Sequence, residues 1–233
     1  MIPRRNDRVA EKIGDLTQNF QPYFEIFERS DVFNTPAQQC RHLRTIRRLR
    51  ELGAPGLAAI DNEFCESLHA TLHAWGRSGR FPGLKPYGKF REAVAARASE
   101  IEALDLYALD NPALDIRAIA AEVWRLIERL DIVTNDSKIV SGSKALHHFL
   151  PNLVVPMDHT YTQRFFEKHP PEFQYQGKSV FCEILEQCAH IARVTGAGSY
   201  VDIDSKSKTW RTSVTKIIDN AIVGYCISSA NER

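Results

Sequence analysis

The chain has 233 residues, 43% of them hydrophobic and 25% charged, with 30 cationic side chains against 29 acidic ones. These values match ordinary globular proteins and exclude disordered, collagen-like and low-complexity classes. A net charge of +1 excludes a uniformly basic chain, though not a local basic patch. Five cysteines with no C-x-x-C pair argue against a disulfide framework and a four-thiolate zinc site. Without an apolar run behind Arg4-Arg5, or any stretch long enough to span a bilayer, the expectation is a cytoplasmic protein with no membrane partner.

The apolar spacing predicts helices almost throughout. Residues 7–19 read as a short amphipathic helix on Val9, Ile13 and Leu16, followed by an aromatic segment around Phe24 and a break from Asp31 to Pro36. Residues 37–52 read as a basic helix with Arg41, Arg44 and Arg48 opposite an apolar stripe, and Gly53 stops it. Pro55 is expected to open a helix running to Trp75. A Gly/Pro-rich loop covers 76–89, and a helix is expected from about Phe90 to Leu109.

Beyond the Asp110-Asn111-Pro112 turn, Ile116 to Leu130 is strongly helical. Ser141 or Ser143 is expected to cap a short helix through Leu150, and another covers 160–168 before a break at Pro170-Pro171. Residues 178–194 and 209–226 read as the last two helices. The predicted fold is all-α: one compact multi-helix domain over 1–233, with 1–110 and 111–233 as candidate lobes.

Charge is uneven along the chain. From Ser67 to Arg91 there is no acid, against five cations; an average chain would place about three acids there. The 76–89 loop and its borders interleave Arg77, Arg80, Lys85 and Lys89 with Trp75, Phe81, Tyr87 and Phe90. Cations neutralise phosphates and aromatic faces stack on bases, so this pattern suits DNA or RNA. A buried aromatic anchor under a solvated charged loop is the structural alternative.

The densest signature runs from Val140 through Ser-Gly-Ser-Lys-Ala-Leu-His-His-Phe-Leu-Pro-Asn-Leu-Val-Val-Pro-Met-Asp to Phe166. Lys144 falls near an expected helix start, where the helix dipole disfavours a cation, and such a cation usually has a partner or a task. This wording resembles a family of uncharacterised prokaryotic proteins over roughly residues 20–190, which implies no mechanism.

Locally, Gly142-Ser143-Lys144 with Pro156-Met157-Asp158 also resembles the helix-hairpin-helix DNA glycosylases. That resemblance implies that Lys144 attacks the sugar C1′ and forms a Schiff base. It further implies that Asp158 stabilises oxocarbenium-like charge and that the Gly142 and Ser143 amides hold a phosphate. The competing structural reading is a capping turn with a Lys144–Asp158 ion pair.

Glu66, His69 and His73 stack on one helical face and form a candidate metal set, although no cofactor is expected. The expected function is therefore nucleic-acid binding with glycosylase-like chemistry left open. A protein-interaction or small-ligand module, and a metal-dependent enzyme, are the two alternatives.

Overall fold

A computed structural model describes residues 4–33, 35–76, 83–135, 138–204 and 210–231. Among them are thirteen α-helices and no strand. The first five are α1 (Arg5–Gln18), α2 (Phe20–Arg29), α3 (Pro36–Leu52), α4 (Pro55–Ile60) and α5 (Asn62–Ala74). Next come α6 (Tyr87–Ala95), α7 (Ala98–Ala103), α8 (Ile116–Leu130) and α9 (Lys138–Phe149). The last four are α10 (Thr162–Phe165), α11 (Pro170–Tyr175), α12 (Gly177–Thr195) and α13 (Val214–Asn231). None of the described helices is long and apolar enough to cross a membrane.

Local chemistry accounts for the helix ends. Thr35 and Gln38 form a reciprocal capping box ahead of Pro36, and Gly53 at φ 73° closes α3 in the left-handed region. Asp115 caps α8 through the Ala118 amide.

Several expected helix boundaries need correction; the helix expected from Phe90 to Leu109, for one, is divided into α6 and α7. The helix expected from Pro55 to Trp75 is broken at Asp61, whose extended backbone and carboxylate cap α5 through Phe64 N at 2.7 Å. Pro170-Pro171 opens α11 rather than breaking the chain, because the first helical turn has no use for a proline N–H. The Gly/Pro-rich loop gives way to helix at Tyr87, directly after Pro86.

The main buried cluster draws on residues from Ile13 to Cys226, across both halves of the chain. Glycines permit two of its close approaches. A Cβ on Gly224 would lie 1.8 Å from the Tyr23 carbonyl oxygen, so α13 and α2 touch backbone to backbone. A Cβ on Gly142 would lie 2.5 Å from Ile127 Cγ2, where α9 crosses α8.

Candidate catalytic pocket

Helix α9 is the centre of the site. Every residue from Ile139 to Phe149 is buried, although five of them are Ser141, Ser143, Lys144, His147 and His148. Buried polar groups need partners, and each of these five side chains makes at least one hydrogen bond. Ser143 Oγ accepts the Met157 amide at 3.0 Å, tying the 156–158 connector to α9. Lys144 Nζ donates to the Trp75 carbonyl at 3.3 Å.

The histidines His42 and His148 form a chain whose proton positions follow from its Lys144 end. His148 Nδ1 lies 2.8 Å from the Lys144 carbonyl, an acceptor only, so the proton sits on Nδ1. His148 Nε2 then accepts from His42 Nδ1–H at 3.2 Å, and His42 Nε2 accepts the Thr212 hydroxyl at 3.0 Å. Both rings are neutral in this arrangement. Burial drives His42 well below the usual imidazole value, with His148, His147 and Lys216 adding to the effect. Burial likewise lowers His148, to about 4. The His42 ring is flanked by Trp75 at 5.3 Å and Trp210 at 5.2 Å, so the chain also fixes two tryptophans.

Those tryptophans wall a pocket completed by Phe33, Pro156 and four charged residues: Lys144, Asp158, Lys216 and Asp219. Each of the four is less than a tenth exposed. Asp158 holds its place by accepting the Thr160 and Tyr161 amides on Oδ1 at 2.6 and 2.7 Å. Lys216 Nζ donates to Asp219 Oδ2 at 2.5 Å and lies 4.9 and 5.0 Å from the Trp210 and Trp75 ring centroids. Lys144 is shifted below the usual lysine value, chiefly by burial, while Asp158 and Asp219 oppose the shift and Lys216 adds to it. Burial raises Asp219, and Lys216 opposes that shift.

Trp75 Nε1, His147 Nε2 and Asn220 Oδ1 are buried with no hydrogen-bond partner among the described residues. All three belong to this cluster, as Asn220 Nδ2 donates to the Trp210 carbonyl. The open space is about 20 Å³, room for about one water. A broader groove of about 920 Å³ lies between α8 and α12, but its charged side chains are exposed or half-buried.

The structure thus brings Lys144 and Asp158 into one pocket and rearranges the other sequence-predicted residues. Gly142 and Ser143 do not sit in an exposed hairpin turn or at a helix start. They lie inside α9, packed against α8 and the 156–158 connector, so their amides are not presented to a phosphate.

Arg77 and Arg80 lie outside the described residues. Lys85 pairs with Asp131 at 2.6 Å and Lys89 with Glu92 at 2.8 Å, which neutralises both. Two arginines of α3 are similarly engaged: Arg48 grips Asp61 through two nitrogens, and Arg41 donates to the Ala70 carbonyl.

His69 Nε2 faces the Lys85 carbonyl at 3.0 Å, and no group of three metal-ligating side chains converges among the described residues. Phe33, His42, Trp210, Lys216 and Asp219 are site residues that sequence reasoning missed. The legible signal was Lys216-x-x-Asp219-Asn220 inside an otherwise apolar helix.

No family model matches the chain, and neither the curated proteins nor the solved structures supply a match.

Proposed function

We propose that this pocket is catalytic and acts on nucleic acid, with Lys144 as an amine nucleophile and Asp158 as the carboxylate beside the reacting carbon. The observation that carries the reading is that these two side chains, fourteen residues apart in sequence, line one aromatic-walled pocket and are both more than nine-tenths buried. Burial favours the neutral amine, the form that attacks carbon. Flat indole walls suit a nucleobase taken out of its stack.

In this reading the Lys144 lone pair attacks the sugar C1′. The bond from C1′ to the base nitrogen breaks, and its electron pair leaves with the base, which takes a proton from water. The new secondary amine loses a proton, the C1′–O4′ bond opens, and O4′ is protonated, leaving a protonated imine. Water hydrolyses it, returning Lys144 and an aldehyde. Asp158 offsets the positive charge that builds on the sugar ring.

With room for about one water, the pocket admits a base or sugar only when its aromatic walls move apart. Five free cysteines, three of them buried, suit a reducing compartment such as the cytoplasm.

Borohydride trapping on an abasic-site duplex tests the proposal. The expected result is a covalent protein–DNA adduct that Lys144→Ala abolishes. Failure to trap, with no oligonucleotide binding at low salt, removes the nucleic-acid reading. The small size of the pocket would then favour a small carbonyl compound as the ligand of the Lys144 amine.

A further inference from the structure

Helix α12 is the longest of the described helices, and its first turn opens onto the groove between α8 and α12. Its first helical hydrogen bond is donated by Val180, to the Gln176 carbonyl at 3.1 Å. The Gly177, Lys178 and Ser179 amides ahead of it have no intrahelical acceptor, and the Gln176 side chain makes no cap. All three residues line the groove. Such a helix start favours an anion, because its free N–H groups and the helix dipole act in the same direction.

A free helix start is ordinarily satisfied by water, but here a buried polar group adjoins it. Trp124 on α8 is 4% exposed and lines the same groove, and its Nε1–H has no acceptor among the described residues. A Cβ on Gly177 would lie 2.5 Å from Trp124 Cη2 and 2.9 Å from Cζ2. Cζ2 is bonded to the ring carbon that bears Nε1, so this edge of the indole is turned toward the start of α12. A buried donor without an acceptor is costly, and a ligand oxygen would supply one.

We propose that this groove binds a small phosphomonoester, its phosphate at the Gly177–Ser179 amides and its apolar body along Ile139, Phe173 and Tyr175. The volume, about 920 Å³, is that of a small-molecule site. Lys138 and Lys178 are exposed at the groove and engaged in no ion pair among the described residues, so both ammonium groups are open to phosphate oxygens. Two acids also line the groove: Glu186, which Arg117 engages at 3.4 Å, and Glu128. Three cations against two acids still leave it positive. A phosphate offers three terminal oxygens to this set of amide, ammonium and indole donors, one more than a carboxylate. None of the groove residues lines the Lys144 pocket, so the proposal does not rest on the nucleic-acid reading.

The test is an NMR titration of the intact ¹⁵N-labelled chain with phenyl phosphate, inorganic phosphate and phenol as probes. Phenyl phosphate is expected to move the Gly177, Lys178 and Ser179 amide signals and the Trp124 indole signal, saturating at about millimolar concentration. Inorganic phosphate should act on the same amides about tenfold more weakly, since it buries no ring. Phenol, which has no charge, should leave those amides unmoved. Lys138→Gln combined with Lys178→Gln, both on the surface, should weaken phenyl phosphate about fivefold.

Amides of 177–179 that stay unmoved at about 10 mM phenyl phosphate overturn the proposal, as does a double variant that binds as tightly as wild type. Shifts scattered over other surface lysines, sparing Trp124 and the start of α12, also overturn it. Phenyl phosphate bound as expected, together with no borohydride adduct on abasic DNA, upholds this proposal and overturns the nucleic-acid reading alone.

Discussion

His42 and His148 share one hydrogen bond at 3.2 Å, and its direction is set by the Lys144 carbonyl, which accepts from His148 Nδ1 and leaves Nε2 to accept from His42. The consequence is a rigid frame: α3 is tied to α9, and the His42 ring packs against both Trp75 and Trp210. His42→Ala removes the donor to a buried imidazole nitrogen and opens a void beside two indoles. Urea denaturation should register a loss of about 2–4 kcal/mol. A loss below about 0.5 kcal/mol would mean that the chain does not support the frame.

The same neutral histidines set an acid limit on stability. In the unfolded chain each binds a proton as pH falls through about 6.5, whereas folded His148 resists until about 4 and burial lowers His42 and His147 well below the usual imidazole value as well. Between these values the unfolded state holds more protons. Unfolding free energy should therefore be level above about pH 7 and fall from about 6.5 toward 4, with a slope approaching about 1.4 kcal/mol per pH unit for each histidine. Denaturation midpoints measured at pH 7.5, 6 and 5 read this directly. A flat profile would mean that these rings are charged or exposed.

The contrast between α8 and α9 explains what was readable in the sequence. Ile119, Val123, Trp124, Ile127 and Leu130 sit on one face of α8, so period alone identified that helix and its buried side. Helix α9 is buried all round yet carries serines, a lysine and two histidines, and no periodicity marks such an element. Its polarity suggested a turn, and the glycine that permits contact with Ile127 looked like a turn residue.

Lys144 and Asp158 were legible because they lie close in sequence within one signature. Lys216 and Asp219 meet them only through the long-range packing of α13. The basic loop misled for a related reason: the acids that neutralise Lys85 and Lys89, Asp131 and Glu92, lie outside the acid-free stretch.

Two glycine substitutions separate packing from helix propensity. Gly224→Ala drives a methyl group into the Tyr23 carbonyl, a backbone atom that cannot rotate away, so α2 and α13 must part. The expected cost is about 3 kcal/mol. Gly14 is also helical but has nothing within 4 Å of an added Cβ, and Gly14→Ala should stabilise by about 0.5–1 kcal/mol. Thermal denaturation of the two variants checks both signs, and equal effects would contradict the close approach of α2 and α13.

Lys144→Met tells a chemical role from a structural one. If Lys144 is simply half of a structural ion pair with Asp158, its loss leaves a buried carboxylate uncompensated and should cost about 3–5 kcal/mol. The geometry argues for less. Asp158 is held by the Thr160 and Tyr161 amides, Lys216 remains in the pocket, and methionine fills the volume of the lysine stem. Stability should therefore stay within about 1 kcal/mol of wild type, while borohydride trapping is lost. A variant that unfolds readily and traps no less per folded molecule would return Lys144 to the scaffold.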